Sequence, residues 1–114
     1  MQFPTWGFGT PAMLKGFCDR VLMPGAAFDL SDPAHVKPLL SNLRKIAGVV
    51  TYGRPWHMAK WIGDPPKKMV TRCLRWFTGG KARAEYHAPY HLNIATEAQR
   101  KAFVVKVGAA MRKV

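Results

Sequence analysis

The run Ile46-Ala47-Gly48-Val49-Val50-Thr51-Tyr52 constrains the fold of this chain more than any other segment. It is short, β-branched and continuously apolar, it follows the charged pair Arg44-Lys45, and Gly53-Arg54-Pro55 ends it. A strand of that kind has no wet face, so it suits the inside of a parallel sheet with helices over both sides. Such a sheet needs crossover helices, and the flanking segments supply them. Residues Met1 to Phe3 read as the end of an earlier strand. Thr10 is a candidate N-cap with Pro11 at the first helical position. Leu14, Phe17, Cys18 and Val21 then recur at helical spacing until Pro24-Gly25 stops the pattern.

Downstream, residues 29–43 carry Ser31, Asp32, Pro33 and Pro38 and read as loop. Asp64-Pro65 repeats the cap-and-proline signature, and Val70, Cys73, Leu74 and Phe77 form one apolar stripe before Gly79-Gly80. From Ala82 to Leu92 small or apolar residues alternate with Arg83, Glu85, His87, Pro89 and His91, which predicts an edge strand with one wetter face. Thr96 and Gln99 make a capping box, and Phe103, Val107, Ala110, Met111 and Val114 line one face of a last helix. Strand, helix, strand, helix, strand, helix is the order of an α/β fold with helices on both faces of a parallel sheet.

At 114 residues the chain is one small domain at most, and its formal charge of +12 admits two readings. One is a polyanionic partner, nucleic acid or an anionic membrane surface. The other is solvated basic helices with an attraction for phosphorylated cofactors. The cations are scattered, without a run of five like charges or a nucleic-acid motif, which leaves nucleic-acid binding the weaker of the two. Cys18 and Cys73 lack CxxC spacing and read as buried, reduced thiols, as expected of a cytoplasmic protein. His35, His87 and His91 have no partners at ligand spacing, so no metal site is expected. No apolar run is long enough to span a bilayer.

Chemistry in an open α/β sheet gathers beyond the carboxyl ends of the strands. Two loops qualify, Pro4 to Thr10 and Tyr52 to Trp61. A flat redox ring needs an aromatic wall and backbone N–H groups close to its edge, and Trp6, Phe8, Gly7, Gly9 and Gly53 are residues of that kind. Arg54 suits an anion or a phosphate through its planar fork.

The block Pro4-Thr5-Trp6-Gly7-Phe8-Gly9, then Pro11-Ala12-Met13-Leu14-Lys15-Gly16-Phe17-Cys18-Asp19-Arg20-Val21, then Gly25-Ala26-Ala27-Phe28 resembles the flavodoxin-like NAD(P)H:quinone oxidoreductases, the diaphorase family. Thr51-Tyr52-Gly53 resembles that family's segment after the fourth strand. The resemblance implies a three-layer flavodoxin-like parallel sheet of order 2-1-3-4-5, present as its C-terminal half over residues 1–114. The family's first two strands and its Ser/Thr-rich phosphate loop have no counterpart here. It implies FMN or FAD as cofactor, NAD(P)H as hydride donor, a quinone as acceptor and a homodimer with the flavin at the subunit interface. Pro4, Thr5, Trp6, Gly7, Phe8, Thr51, Tyr52, Gly53 and Arg54 fall at flavin-contacting positions. The match departs at Trp6-Gly7, where many relatives carry a polar or aromatic residue and then Trp, so the stacking aromatic is displaced by one position. Tyr52 and His57 are the hydride-transfer candidates by residue type. Lys15, Gly16, Asp19 and Arg20 are family-specific and read as structural, Gly16 marking close helix packing and Asp19-Arg20 a contact to a neighbouring element or subunit. Because the phosphate loop is missing, a catalytically inactive remnant acting only by association is the alternative to an active flavoenzyme. A basic nucleic-acid-binding module comes last.

Overall fold

In the computed structural model, which describes residues 1–113, the apolar run becomes β4 (Lys45–Thr51), the middle strand of a three-stranded sheet. β1 (Gln2–Pro4) pairs with one side of it and β5 (Arg83–His87) with the other, both parallel. The register runs from Gln2↔Val49 to Pro4↔Thr51 and from Lys45↔Arg83 to Val49↔His87. All three strands therefore finish at one end of the molecule. Crossovers are α1 (Ala12–Val21) and, beyond β4, α2 (Trp56–Ile62) followed by a helical arm. That arm is α3 (Pro65–Lys68), a wide π turn over Met69–Cys73, and α4 (Leu74–Trp76). α5 (Glu97–Arg112) closes the order, and its Thr96–Gln99 capping box is formed in both directions. This is a flavodoxin-like α/β fold.

Several expectations change in detail. Pro11, in extended backbone, caps α1 in place of Thr10, and Asp64 caps α3 without a side-chain bond. Inside the expected loop, β2 (Phe28–Asp29) and β3 (Lys37–Pro38) make a short antiparallel pair. β5 stops at His87; the Pro89 carbonyl still accepts from Tyr52 N (3.1 Å), but Pro89 has no N–H to return a bond to β4. The wide turn adds a residue to one helical revolution, so Cys73 rotates off the Val70–Leu74 stripe into solvent, while Cys18 is buried as expected. Gly16 has open space where close packing was expected, and Asp19 pairs with Lys15 one turn back in its own helix. Val114 lies outside the described residues.

β4 is buried on one face only. Ile46, Gly48 and Val50 point into a core completed by Phe3, Tyr52, Ala59, Val70 and Ala82, with Leu14 and Leu74 packed against it. On the other face Lys45, Ala47, Val49 and Thr51 remain half-buried, and α5 is tied there by Lys45 Nζ donating to the Ala110 carbonyl (3.2 Å). The "wet" face of β5 thus lies under a helix, and the Glu85 side chain is only 14% exposed. No helix among the described residues is long and apolar enough to cross a membrane.

Glu85 faces two cations on its own face, Lys45 Nζ at 3.0 Å and Arg83 Nη2 at 3.1 Å, and the ring Nε2 of His87 lies 3.5 Å away. The Lys45 ammonium, although its angle is not that of a well-formed bond, lowers the Glu85 carboxyl below its usual range. A depressed carboxyl contributes stability above its unfolded value of 4.5 and loses it as pH falls below that value. Lys45→Met is therefore expected to flatten the acid limb of the stability–pH curve. Urea denaturation across that limb checks it, and an unchanged slope would remove the pair from the account.

Candidate functional site

The two loops at the strand ends lie side by side. Thr5 donates twice to the Thr51 carbonyl, from its backbone N (3.0 Å) and from Oγ1 (3.1 Å). Trp6 and Gly9 then exchange both backbone bonds (3.1 and 2.9 Å) across a two-residue turn. Gly7 (φ 53°) and Phe8 (φ 61°) both sit in the left-handed region, as a I′ turn requires. Gly7 adopts it freely. For Phe8 it stores about 1–3 kcal/mol, held by packing of the Phe8 ring against the core. Trp6 and Phe8 were expected to form one aromatic wall. The turn separates them: Trp6 stands 71% exposed above the strand ends, and Phe8 points inward.

Among the described residues the amides of Gly7, Phe8, Gly53 and Arg54 donate to no protein acceptor. These are unspent backbone donors at the carboxyl end of a parallel sheet, with an exposed indole on one of the same two loops. Gly53 leaves room for the Asn93 amide, whose Nδ2 would lie 3.1 Å from a Cβ at that position. Asn93 was not legible as a site residue, since only the folded chain brings the Leu92–Ile94 turn back to this loop. Pro4 and Thr51 end the paired strands, and Arg54 is exposed while its carbonyl accepts from His91 N (2.9 Å).

Tyr52 does not join this rim. Its side chain is 1% exposed and its hydroxyl donates to Asp64 Oδ1. With that single proton spent, the Tyr52 oxygen accepts from Tyr86, and Tyr90 donates to Asp64 Oδ2 at 3.5 Å. Burial first, then the bond to Asp64, pushes the Tyr52 hydroxyl far up; burial also raises Tyr86 and Tyr90. A buried phenol aimed into the core cannot reach a ring beyond the strand ends. The catalytic expectation for Tyr52 is corrected to a positioning role. Asp64 is the residue that sequence reading missed: its Asp-Pro context signals a helix start, but its carboxylate accepts from Tyr52, just after β4, and Tyr90, beyond β5, and its backbone is left-handed (φ 46°).

His57 lies in the first turn of α2, exposed, edge-on to Trp56 at 6.0 Å. Two concavities have linings that do not include Trp6. One of about 650 Å3 separates Thr10 and Lys15 from Ile62 and Met69, and one of about 590 Å3 lies between Trp56 and Tyr90.

Comparison with known proteins agrees with this fold. A family model described as flavodoxin-like fold matches residues 1–104. Among solved structures, Smu.1420 from Streptococcus mutans UA159 superposes with a TM-score of 0.82 at 20% identity, over 98% of this chain and 57% of that one. The likeness is one of fold, and the chain spans little more than half of that structure's length. No curated protein matches.

Proposed function

The chain belongs to the flavodoxin-like fold family, a family of flavin-dependent oxidoreductase type, and from that premise we propose that it serves hydride transfer from NAD(P)H through FMN or FAD to a quinone. The observation that carries the reading is the pair of adjacent loops with the exposed Trp6 indole and four unspent amides. Bound flavin supplies the redox chemistry itself. Trp6 covers one face of the ring. The amides of Gly7, Phe8, Gly53 and Arg54 orient its polar edge, and the Arg54 guanidinium supplies positive charge there. Pro4, Thr5 and Thr51 fix the spacing of the two loops. On this reading His57, exposed in the first turn of α2, donates a ring N–H proton to an acceptor oxygen.

On the same reading residues 1–114 are the C-terminal portion of one flavodoxin-like domain. The cofactor phosphate is then held by polypeptide that continues the sheet beyond β1. A homodimer places a second copy over the exposed Met13 and Phe17 of α1.

Flavin titration followed by NADPH oxidation with menadione tests the proposal. Trp6→Ala is expected to weaken flavin binding about tenfold, the loss of one aromatic stack. A folded protein that retains no flavin at saturating FMN and FAD would overturn the reading.

A further inference from the structure

The groove between Trp56 and Tyr90 gathers four cations. Lys60, Lys67, Lys68 and Arg72 all line it, and among the described residues none of these cations has an ion-pair or hydrogen-bond partner. Like charges that share one concavity repel, and the one carboxylate on its wall, Asp64, cannot balance four of them. The acid on the same wall, Asp64, has its two oxygens turned to Tyr52 and Tyr90. Two of the cations, Lys68 and Arg72, are spaced four residues apart and also line the neighbouring groove, so they form its shared rim.

A flat surface stands beside the charge. Trp56 is 59% exposed, and Lys60 Nζ lies 6.0 Å from its ring centroid. One exposed ring next to one cluster of free cations matches a ligand with one planar base and several phosphate charges. A polynucleotide would use a longer track of rings and cations across the adjoining grooves, so the length dependence of oligonucleotide binding separates the two ligands.

We propose that this groove binds a nucleoside di- or triphosphate, its base against Trp56 and its phosphates on Lys67, Lys68 and Arg72. The groove shares no lining residue with the Trp6 turn, and the proposal does not require the flavin reading.

Calorimetric titration of the purified chain with ADP, inorganic pyrophosphate and a single-stranded oligonucleotide, at low and moderate salt, tests it. ADP is expected to bind, and the double variant Lys68→Ala/Arg72→Ala to weaken it about tenfold or more. Trp56→Leu should weaken ADP but leave pyrophosphate unchanged. Trp6→Leu should leave ADP binding intact, which keeps the outcome apart from any failure of flavin binding. Competition by NADPH in flavin-free protein would assign the groove to the ADP unit of the hydride donor; without competition it takes free nucleotides, and the groove stands in both cases. Should circular dichroism show the double variant unfolded, the surface variants Lys60→Gln and Lys67→Gln carry the same comparison. Absence of ADP binding to folded protein, or equal binding by the groove variants, overturns the proposal. So does an oligonucleotide that binds more tightly than ADP with affinity rising with its length.

Discussion

Replacing Gly48 with valine is expected to destabilise the fold by about 3 kcal/mol, the upper range for forcing carbons into a filled core. A Cβ at this position would lie 2.9 and 3.0 Å from the two methyl carbons of Val70 and 3.4 Å from Tyr86 Cδ2. Val70 is fully buried on the wide turn of the helical arm and has no room to retreat. Glycine here serves close approach of helix to strand, which outweighs the entropy it adds to a β interior. The contact can be isolated. Gly48→Ala and Val70→Ala should each destabilise, by about 1–2 and about 2 kcal/mol. The double variant should lose about 1 kcal/mol less than their sum, because the second change opens the space that the first one needs. Urea denaturation of the four proteins gives the coupling. Additive losses would show that Val70 is not what the glycine accommodates.

Tyr52→Ala should be still more damaging, about 4 kcal/mol, because it removes a buried ring at the meeting point of β4, β5 and α3. Tyr52→Phe separates the hydroxyl from the ring. It leaves Asp64 Oδ1 without its donor and Tyr86 without its acceptor, a loss of about 2 kcal/mol. Tyr90→Phe should lose less than about 1 kcal/mol, since its bond to Asp64 spans 3.5 Å. The hydroxyl also has a pH signature. Its folded value is raised above the ordinary 10.0, so the folded state keeps the proton that the unfolded chain releases. Stability from this group is complete below 10.0 and falls as pH rises past it. Tyr52→Phe should make that alkaline limb shallower, as followed by denaturation alongside tyrosinate absorbance. An unaltered limb would mean that Tyr52 ionises as freely in the folded chain as in the unfolded one.

What could be read in advance follows from how local each signal is. The apolar run at Ile46–Tyr52, the glycine pair at 79–80 and the Thr96–Gln99 box carry their own geometry, and each formed where its residues put it. The neighbouring loops at the strand ends follow from parallel topology, which the alternating elements already imply. Other features depend on contacts distant in sequence. Glu85 and His87 read as wet because nothing local shows that α5 returns over them. Cys73 fits an ideal helical stripe and leaves it only because the arm widens at Met69–Cys73. Phe8 looks like a partner for Trp6 until a left-handed turn sends the two rings opposite ways. The tyrosine–Asp64 network joins residues 12 to 34 positions apart, and no spacing rule finds it.

A π turn within a longer helical stretch holds one residue more than the same span of regular helix. Insertions and deletions of a single codon are usually destructive inside a helix, because everything downstream turns by about 100°. Here the surplus residue is already absorbed as a local bulge, with Pro66 buried before it and Thr78 buried after it. Removing one residue from this turn should therefore leave both ends of the arm anchored, whereas the same deletion inside α5 should not.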